Sequence, residues 1–172
     1  VDDVRSLVRA GADKACLNTQ ALAHPERITQ IADVFGSQCV VVSMDCRREA
    51  DGRYQVYANS GTKPTGHSPD AWARQVESLG AGEIFLNSID RDGSRLGYDT
   101  DLIRLVSEAV TIPVICCGGV GQYQHFAAGV QLGGASAVAA GNIFHHAEHS
   151  TILAKAHLLK SGVDVRLDSK AR

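Results

Sequence analysis

The chain has 172 residues, of which 44% are hydrophobic, and it carries 17 basic against 19 acidic side chains. These values predict a single domain with a substantial apolar core. The formal net charge of -2, without a basic cluster, argues against a nucleic-acid binder, which needs positive surface to displace counterions from phosphates. The apolar runs are far shorter than a membrane span and the first residues lack a signal-peptide pattern, so we expect a cytoplasmic protein that does not bind membranes.

The five cysteines are odd in number and show no C-x-x-C spacing. Cys39, Cys116 and Cys117 fall inside apolar runs, so we expect mostly buried, reduced thiols. His145 and His149 are four residues apart on a predicted helix, but no third ligand has a suitable spacing. We therefore expect neither a metal site nor a cofactor.

The predicted elements alternate between helices and strands from the beginning of the chain. An amphipathic pattern over Val4, Leu7 and Val8 predicts the first helix, and Pro25 and Ser68 mark the opening turns of two later ones. The spacing is typical of βα units with parallel strands, and the apolar runs indicate strands that are buried on both faces. The predicted strands cover residues 14–18, 38–44, 83–88, 112–116 and 136–140.

One connection, between Asp45 and Ser68, is longer than the others. Asp51-Gly52, followed by residues 53–57, predicts a turn and a short antiparallel strand. A long connection after a strand is more often functional than idle, although a surface hairpin without a function remains the alternative.

Five consecutive βα units fit either a doubly wound open sheet or part of a (β/α)8 barrel, whose usual length is ~250 residues. Composition does not distinguish the two, but the chain is too short for a complete barrel. In both architectures ligands bind at the carboxyl ends of the strands. Small and polar residues occupy those positions: Asn18, Thr19, Asp45, Asp90, Asp92, Gly93, Gly118, Gly119, Gly141 and Asn142.

The glycine-rich run from Gly118 to Gly121 follows an apolar strand and precedes a helical pattern. Its unhindered backbone N–H groups are suited to an anion such as a phosphate. The run lacks the third glycine of a dinucleotide fingerprint and the lysine of a P-loop, so the signal is weak by itself. Together with Gly141 and Asn142 it predicts two adjacent helix N-termini directed at one phosphate, as in phosphate-binding barrels.

Four charged residues have two interpretations each. Asp45 is predicted to end the most hydrophobic strand, where it serves either as a general acid or base or as a structural acceptor for loop N–H groups. Asp90 fits a self-bonded polar turn slightly better than a catalytic role. Lys14 and Glu83 begin two strands, where they either face solvent or, inside a barrel, need each other as partners.

Sequence blocks along the chain are shared with one enzyme family. The most specific is Ser-Ile-Asp-Arg-Asp-Gly at residues 88–93, and others lie at residues 11–19, 35–38, 61–66, 80–84, 97–99, 118–119 and 163–166. Together they resemble the cyclase subunit of imidazole glycerol phosphate synthase, an enzyme of histidine biosynthesis. The resemblance covers essentially the whole chain. It implies an α/β fold, a (β/α)8 TIM barrel, of which residues 1–172 are a single domain comprising the carboxy-terminal two thirds, with strands four to eight.

The resemblance also implies a reaction and a partner. The cyclase takes ammonia from a glutaminase subunit, with which it forms a heterodimer, and an open-chain aminoimidazole-carboxamide ribulotide that bears two phosphates. It makes imidazole glycerol phosphate and aminoimidazole-carboxamide ribotide. Two carboxylates move the protons, and Asp45 matches one of them. The other belongs to the amino-terminal third that the resemblance places before Val1, so we expect the fragment alone to be inactive.

The remaining correspondences are also implied by the resemblance. Asn18 and Thr19 match residues near one substrate phosphate. Lys14 and Glu83 match a charged gate at the barrel floor through which ammonia enters, and Asp13 matches a residue at the glutaminase interface. The site of the second phosphate corresponds to Asp92, Gly93, Gly118, Gly119, Gly141 and Asn142.

Four residues, at three places in the chain, depart from the family pattern. Cys117 stands where serine is common, Asn87 where threonine is usual, and Gly141-Asn142 where alanine and serine are expected. These departures keep open a divergent paralogue that delivers ammonia for amide or amidine formation on a sugar of surface polysaccharides. A further alternative is a non-catalytic phosphosugar-binding barrel fragment, in which Asp45 is dispensable.

Overall fold

The computed structural model describes residues 1–145 and 151–166, in which seven α-helices and seven strands are found. The helices are α1 (Asp2–Arg9), α2 (Thr19–Ala23), α3 (Glu26–Phe35), α4 (Pro69–Ser78), α5 (Thr100–Ser107), α6 (Tyr123–Gln131) and α7 (Thr151–Lys160). The strands are β1 (Ala15–Leu17), β2 (Val40–Arg48), β3 (Tyr54–Ala58), β4 (Lys63–Pro64), β5 (Glu83–Ser88), β6 (Val114–Cys117) and β7 (Ala137–Val138). Two 3₁₀ turns cover Ser37–Cys39 and Asn142–Phe144.

The order of the parallel strands decides between the two predicted architectures. Strand β1 pairs with β2, β2 with β5, β5 with β6 and β6 with β7, all in parallel. The parallel strands thus have the same order in the sheet as in the chain. In a doubly wound sheet this order reverses at a switch point. The described sheet is therefore part of a (β/α) barrel, which confirms the predicted fold class.

The two faces of the parallel strands have different environments. On β2, Val40, Val42 and Met44 are completely buried in the core, on the side where α3 and α4 contact the strand. Ser43 and Asp45 point to the other side and are only partly buried. We call this second side of the sheet the inner face. Register places the alternate residues of neighbouring strands on it as well.

The long connection contains the predicted antiparallel hairpin. Strand β3 pairs with the second half of β2, from Asp45 opposite Tyr57 to Arg48 opposite Tyr54, and β4 pairs with β3. This pairing extends β2 to Arg48, so the prediction that the strand ends at residue 44 was wrong. Asp45 lies inside the strand, whose parallel half and antiparallel half meet near this residue.

Helix boundaries and cysteines follow the predictions with two differences. Helix α4 begins at Pro69, but the Ser68 side chain does not bond the helix backbone. The five cysteines are free, and Cys39 and Cys116 are buried as predicted, whereas Cys117 is partly exposed and Cys16 is exposed. Among the described helices, none has the length and apolarity required to cross a membrane.

Candidate active site at the carboxyl ends of the strands

Asp45 is held by two asparagine side chains from the strands on either side of it. Asn18, directly after β1, donates from Nδ2 to Asp45 Oδ2 at 2.8 Å. Asn87, opposite Asp45 in the β2–β5 register, donates from Nδ2 to Oδ1 at 3.1 Å. Each carboxylate oxygen therefore has its own amide donor, and the two bonds fix the plane of the carboxylate on the inner face.

The same two amides leave their oxygens without partners. Asn18 Oδ1 and Asn87 Oδ1 are buried and accept no hydrogen bond from the described residues. Buried polar atoms normally have a hydrogen-bond partner, so each exception needs a structural or functional explanation. Since an ionised carboxylate only accepts hydrogen bonds, both amides must turn their N–H₂ groups toward Asp45. We conclude that the orientation of the Asp45 carboxylate is fixed here at the cost of two amide oxygens that lack hydrogen bonds.

Asp45 faces a cleft of about 300 Å³. We call it the Asp45 cleft, and it is lined by Asp45, Ser60, Asn87, Ile89 and Asp92. Two of these five side chains are carboxylates and none is cationic, so the cleft has an acidic lining. A group that donates hydrogen bonds, such as a hydroxyl or an amine, suits it better than an anion does.

The charge of Asp45 also acts on two thiols. Partial burial, and then the negative charge of Asp45, raise the pKa of Cys16. Burial likewise raises the pKa of Cys117, with smaller contributions from Asp92 and Asp45. Both side chains are consequently thiols rather than thiolates at neutral pH, and neither is activated as a nucleophile.

A second, narrower cleft lies beside the first and is built largely from glycines. We call it the glycine cradle. All six residues that were predicted to bind the second phosphate line it together, with Cys117, Val120 and Ala140 between them: Asp92, Gly93, Gly118, Gly119, Gly141 and Asn142.

The backbone at Gly118 and Gly119 admits only glycine. Their φ angles are +96° and +102°, in the region that side chains disfavour. A Cβ atom at Gly119 would lie 2.3 Å from the Gly97 carbonyl oxygen, and one at Gly118 would lie 2.7 Å from the Ser88 carbonyl oxygen. Glycine at these two positions therefore lets the loop pack directly against the backbone carbonyl groups of Ser88 and Gly97.

The prediction of two helix N-termini at this cradle was wrong in detail. Helix α6 begins only at Tyr123, after Gln122, so residues 118–121 form a loop rather than a helical turn. Gly141 precedes a 3₁₀ turn of three residues. Asn142 instead brings a side-chain amide, whose Oδ1 is buried and unpaired among the described residues. The predicted phosphate-binding residues of the cradle thus lie on a loop and at a 3₁₀ turn instead of at the starts of two α-helices.

Asp92 lines both clefts, so the Asp45 cleft and the glycine cradle are adjoining parts of one site. A ligand with an anionic group at one end and hydroxyl groups along its length matches this division. Both clefts include the Asp92 carboxylate, but the rest of the cradle lining is glycine backbone, small side chains and the Asn142 amide, whereas the Asp45 cleft has a second carboxylate.

Thr19 and Asp90 have contacts that the sequence did not indicate. Thr19 Oγ1 accepts a hydrogen bond from the Asn59 N–H at 3.0 Å, which anchors the hairpin to the end of β1. Asp90 accepts a hydrogen bond from the backbone N–H of Arg48 at 2.8 Å, so it is bonded to β2 rather than to its own turn. The predicted self-bonded turn at Asp90 is therefore not observed, and its carboxylate links the turn after β5 to β2.

Lys14 and Glu83 meet at the amino end of the inner face. Lys14 Nζ lies 2.8 Å from Glu83 Oε1 and also donates to the Gln38 carbonyl oxygen at 3.0 Å. Asp13, next to this pair in the chain, is exposed. The predicted pairing of Lys14 with Glu83 is therefore observed, and Lys14 is at the same time exposed to solvent.

Sequence reasoning did not select Ser60 or Ile89, and it noted Asn87 only as a departure from a pattern. Ser60 reaches the cleft because β3 folds back along β2, and no local motif marks the tip of that hairpin. Asn87 was in principle accessible, since it follows Glu83 and Phe85 on the same face of β5. What was missing was the register that sets it opposite Asp45.

No group of three or more His, Cys, Asp and Glu side chains within residues 1–145 and 151–166 is arranged to hold a metal ion. His145 is part of this described region. His146 and His149 lie outside the described residues.

The consecutive parallel strands, with polar and glycine residues gathered at their carboxyl ends, define the protein as a (β/α)-barrel type whose site lies at the mouth of the barrel. Residues 1–150 match the model of a family described as "Histidine biosynthesis protein". The chain belongs to this family, whose members are barrel enzymes of histidine biosynthesis.

Proposed function

We propose that this chain is the cyclase subunit of imidazole glycerol phosphate synthase. In this proposal it uses glutamine-derived ammonia and a bisphosphorylated aminoimidazole-carboxamide ribulotide. The products are imidazole glycerol phosphate and aminoimidazole-carboxamide ribotide. The observation that carries the proposal is an oriented carboxylate, Asp45, in a cleft that adjoins a glycine cradle through Asp92.

Asp45 is suited to proton transfer in this reaction. Addition of ammonia to the ketone of the ribulotide releases water and needs protons moved from nitrogen to oxygen, which a positioned carboxylate promotes. Its two oxygens are fixed by neutral amides and not by a cation, so the negative charge remains available to the substrate. By the family resemblance Asp45 is one of two such carboxylates.

The phosphates and the ammonia are assigned to separate regions. The glycine cradle takes one phosphate on bare backbone, while Asn18 and Thr19 lie at the end of β1, where the resemblance assigns the other. Lys14 and Glu83 act as the ammonia gate at the opposite end of the inner face, and Asp13 contacts the glutaminase subunit. The location of the ion pair, away from the Asp45 cleft, supports this division.

The divergent paralogue of surface-polysaccharide pathways is the second candidate. All three departures from the family pattern lie within the site: Asn87 bonds Asp45 directly, and Cys117, Gly141 and Asn142 line the glycine cradle. Changes at these positions alter groups that touch a substrate or its catalytic carboxylate, which favours a different acceptor for the ammonia.

Steady-state kinetics of the full-length gene product test the first proposal. The assay is ammonia-dependent turnover of the ribulotide by the unaltered protein and by Asp45→Asn. We expect kcat to fall by about 10³-fold, the scale of general acid–base catalysis, with KM changed far less. Asp33→Asn, on the exposed side of α3, is the matched control and should retain full activity.

Equal activity of the two variants would remove Asp45 from the mechanism and favour the non-catalytic alternative. Turnover by the unaltered protein, together with rescue of a histidine-requiring strain, distinguishes the cyclase from the paralogue. A folded full-length protein without ribulotide turnover and without rescue would contradict the cyclase proposal.

A further inference from the structure

We propose that Ser60, at the tip of the β3–β4 hairpin, is a substrate-binding residue that hydrogen-bonds a hydroxyl group of a phosphorylated sugar. The sugar chain lies in the Asp45 cleft and its phosphate lies in the glycine cradle. The inference rests on the proposed function in one respect only, namely that the ligand is a phosphosugar. The position and conformation of Ser60 are independent of it.

Ser60 reaches the site from an element outside the barrel strands. It lines the same cleft as Asp45 and Asp92, although it is far from both in sequence. Its side chain is exposed, and its hydroxyl has no hydrogen-bond partner in the described part of the chain. A free hydroxyl at the edge of a polar cleft is available to a ligand.

The backbone conformation at the tip is unfavourable for the residues that adopt it. Asn59 and Ser60 have φ angles of +53° and +55°, and Gly61 continues the left-handed run at +76°. A side chain in this region is strained, and such strain persists only where the surroundings impose it. Glycine would adopt the same angles without this penalty at either position.

Contacts on both sides hold the tip in place. The Asn59 N–H donates to Thr19 Oγ1 at 3.0 Å, and Thr62 Oγ1 donates to the Asn59 carbonyl oxygen at 2.7 Å. Gly61 packs so closely on Ile89 that an added Cβ would lie 2.9 Å from Ile89 Cδ1. These contacts fix Ser60 at the cleft before any ligand arrives, which reduces the entropy cost of binding.

The lining of the cleft defines which part of the ligand Ser60 meets. Asp45, which lines this cleft but not the cradle, repels a phosphate, and both Asp45 and Asp92 accept hydrogen bonds from hydroxyl groups. A serine hydroxyl both donates and accepts, so it completes the coordination of a sugar hydroxyl that already donates to a carboxylate. The phosphate is accommodated in the cradle, on the other side of Asp92.

Two glycine substitutions separate this role from a purely structural one. Ser60→Gly removes the hydroxyl and relieves the left-handed strain. Asn59→Gly relieves the same strain at the adjacent residue and retains the backbone N–H that bonds Thr19. Asn59 is not part of the cleft lining, so it is the matched control. Neither variant should lower the thermal unfolding midpoint of the full-length protein.

The binding of D-ribulose 5-phosphate and of inorganic phosphate is measured by calorimetry. We expect Ser60→Gly to raise the Kd for D-ribulose 5-phosphate by about tenfold, the size of one hydrogen bond to a polar ligand, and Asn59→Gly to change it by less than about twofold. The Kd for inorganic phosphate should be the same in all three proteins, because neither the glycine cradle nor the region assigned to the other phosphate, Asn18 and Thr19, includes the substituted side chains.

Three results would overturn the role of Ser60. The first is an equal Kd of the two variants for D-ribulose 5-phosphate, and the second is a loss of inorganic phosphate binding in Ser60→Gly as large as its loss of D-ribulose 5-phosphate binding. The third is that the unaltered protein does not bind D-ribulose 5-phosphate. The outcome is separable from that of the proposed function. If the ribulotide is not turned over but the two variants still differ in sugar phosphate binding, the cyclase proposal fails and the role of Ser60 stands. If turnover is observed and the variants bind alike, only the role of Ser60 fails.

Discussion

The two ends of the inner face differ in the partners of their charged side chains. At the amino end, Lys14 and Glu83 neutralise each other at 2.8 Å. At the carboxyl end, the side-chain partners of the Asp45 carboxylate among the described residues are the neutral amides of Asn18 and Asn87, and no cation pairs with it there. The first arrangement is complete without a ligand, whereas the second leaves a charge directed at an open cleft.

The two ends also differ in their contribution to the stability of the fold. The Lys14 and Glu83 side chains are 42% and 22% exposed, and such partly exposed pairs contribute about 0–1 kcal/mol. At the other end, each buried and unpaired asparagine oxygen costs about 1–3 kcal/mol. A local structure that lowers stability in order to orient one carboxylate is expected at a site that has been shaped by function.

The largest effect is predicted for the backbone of the glycine cradle. Gly119→Ala forces a Cβ to within 2.3 Å of the Gly97 carbonyl oxygen and into a positive φ, and it should lower the free energy of unfolding by about 3 kcal/mol. Gly93→Ala is the control, because Gly93 also has a positive φ but open space around it, and should cost about 1 kcal/mol. Denaturant unfolding measures both. Equal losses would mean that the carboxyl end is not closely packed at Gly119.

A second prediction reverses the usual relation between stability and activity. Asn87→Leu, of similar shape, removes a donor to Asp45 and also an unpaired buried oxygen. The free energy of unfolding should therefore stay within about 1 kcal/mol of the original value or increase. Turnover should fall by about 10- to 100-fold through kcat, because Asp45 loses one of its two positioning bonds.

Asn87→Thr is the comparison for this substitution, since threonine retains a hydroxyl donor. It should recover part of the lost kcat, while its stability stays close to that of the leucine variant. If Asn87→Leu unfolds more easily by several kcal/mol and retains full kcat, the amide stabilises the fold and does not position Asp45.

The contrast between the two ends also shows what the sequence allowed us to predict. The alternation of strands and helices and the hairpin after β2 were predicted, because glycines and apolar runs are local signals. The joint location of Asp92, Gly93, Gly118 and Gly119 was predicted from the family resemblance. The amide bonds to Asp45 were not predicted, since they depend on the register of β2 with β1 on one side and with β5 on the other. Ser60 was missed for a similar reason: its location depends on non-local pairing of a hairpin. The choice between the two sheet architectures likewise required the observed strand order.

A smaller effect is predicted at the amino end. Lys14→Met and Glu83→Gln should each lower the free energy of unfolding by less than about 1 kcal/mol, and the coupling energy from the double-mutant cycle should be about 0.5 kcal/mol and should decrease at high salt. Turnover with free ammonia should be nearly unchanged, because the pair does not touch the Asp45 cleft. A coupling of several kcal/mol would show that this end is as sensitive to substitution as the other.

The smallest effect reports the reach of the Asp45 charge across the inner face. That charge contributes to the raised pKa of Cys16, after burial, and more weakly to the raised pKa of Cys117. Asp45→Asn removes it, so both thiol pKa values should fall, the thiolate fraction at pH 8 should rise, and alkylation of both cysteines should be faster by a few-fold, about the effect of one screened charge. Rates for each cysteine are measured by mass spectrometry, with the buried Cys39 as the internal control that should not change. Unchanged rates at Cys16 and Cys117 would show that solvent screens the carboxylate completely, and the contrast between a neutralised and a charged end of the inner face would then be confined to direct contacts.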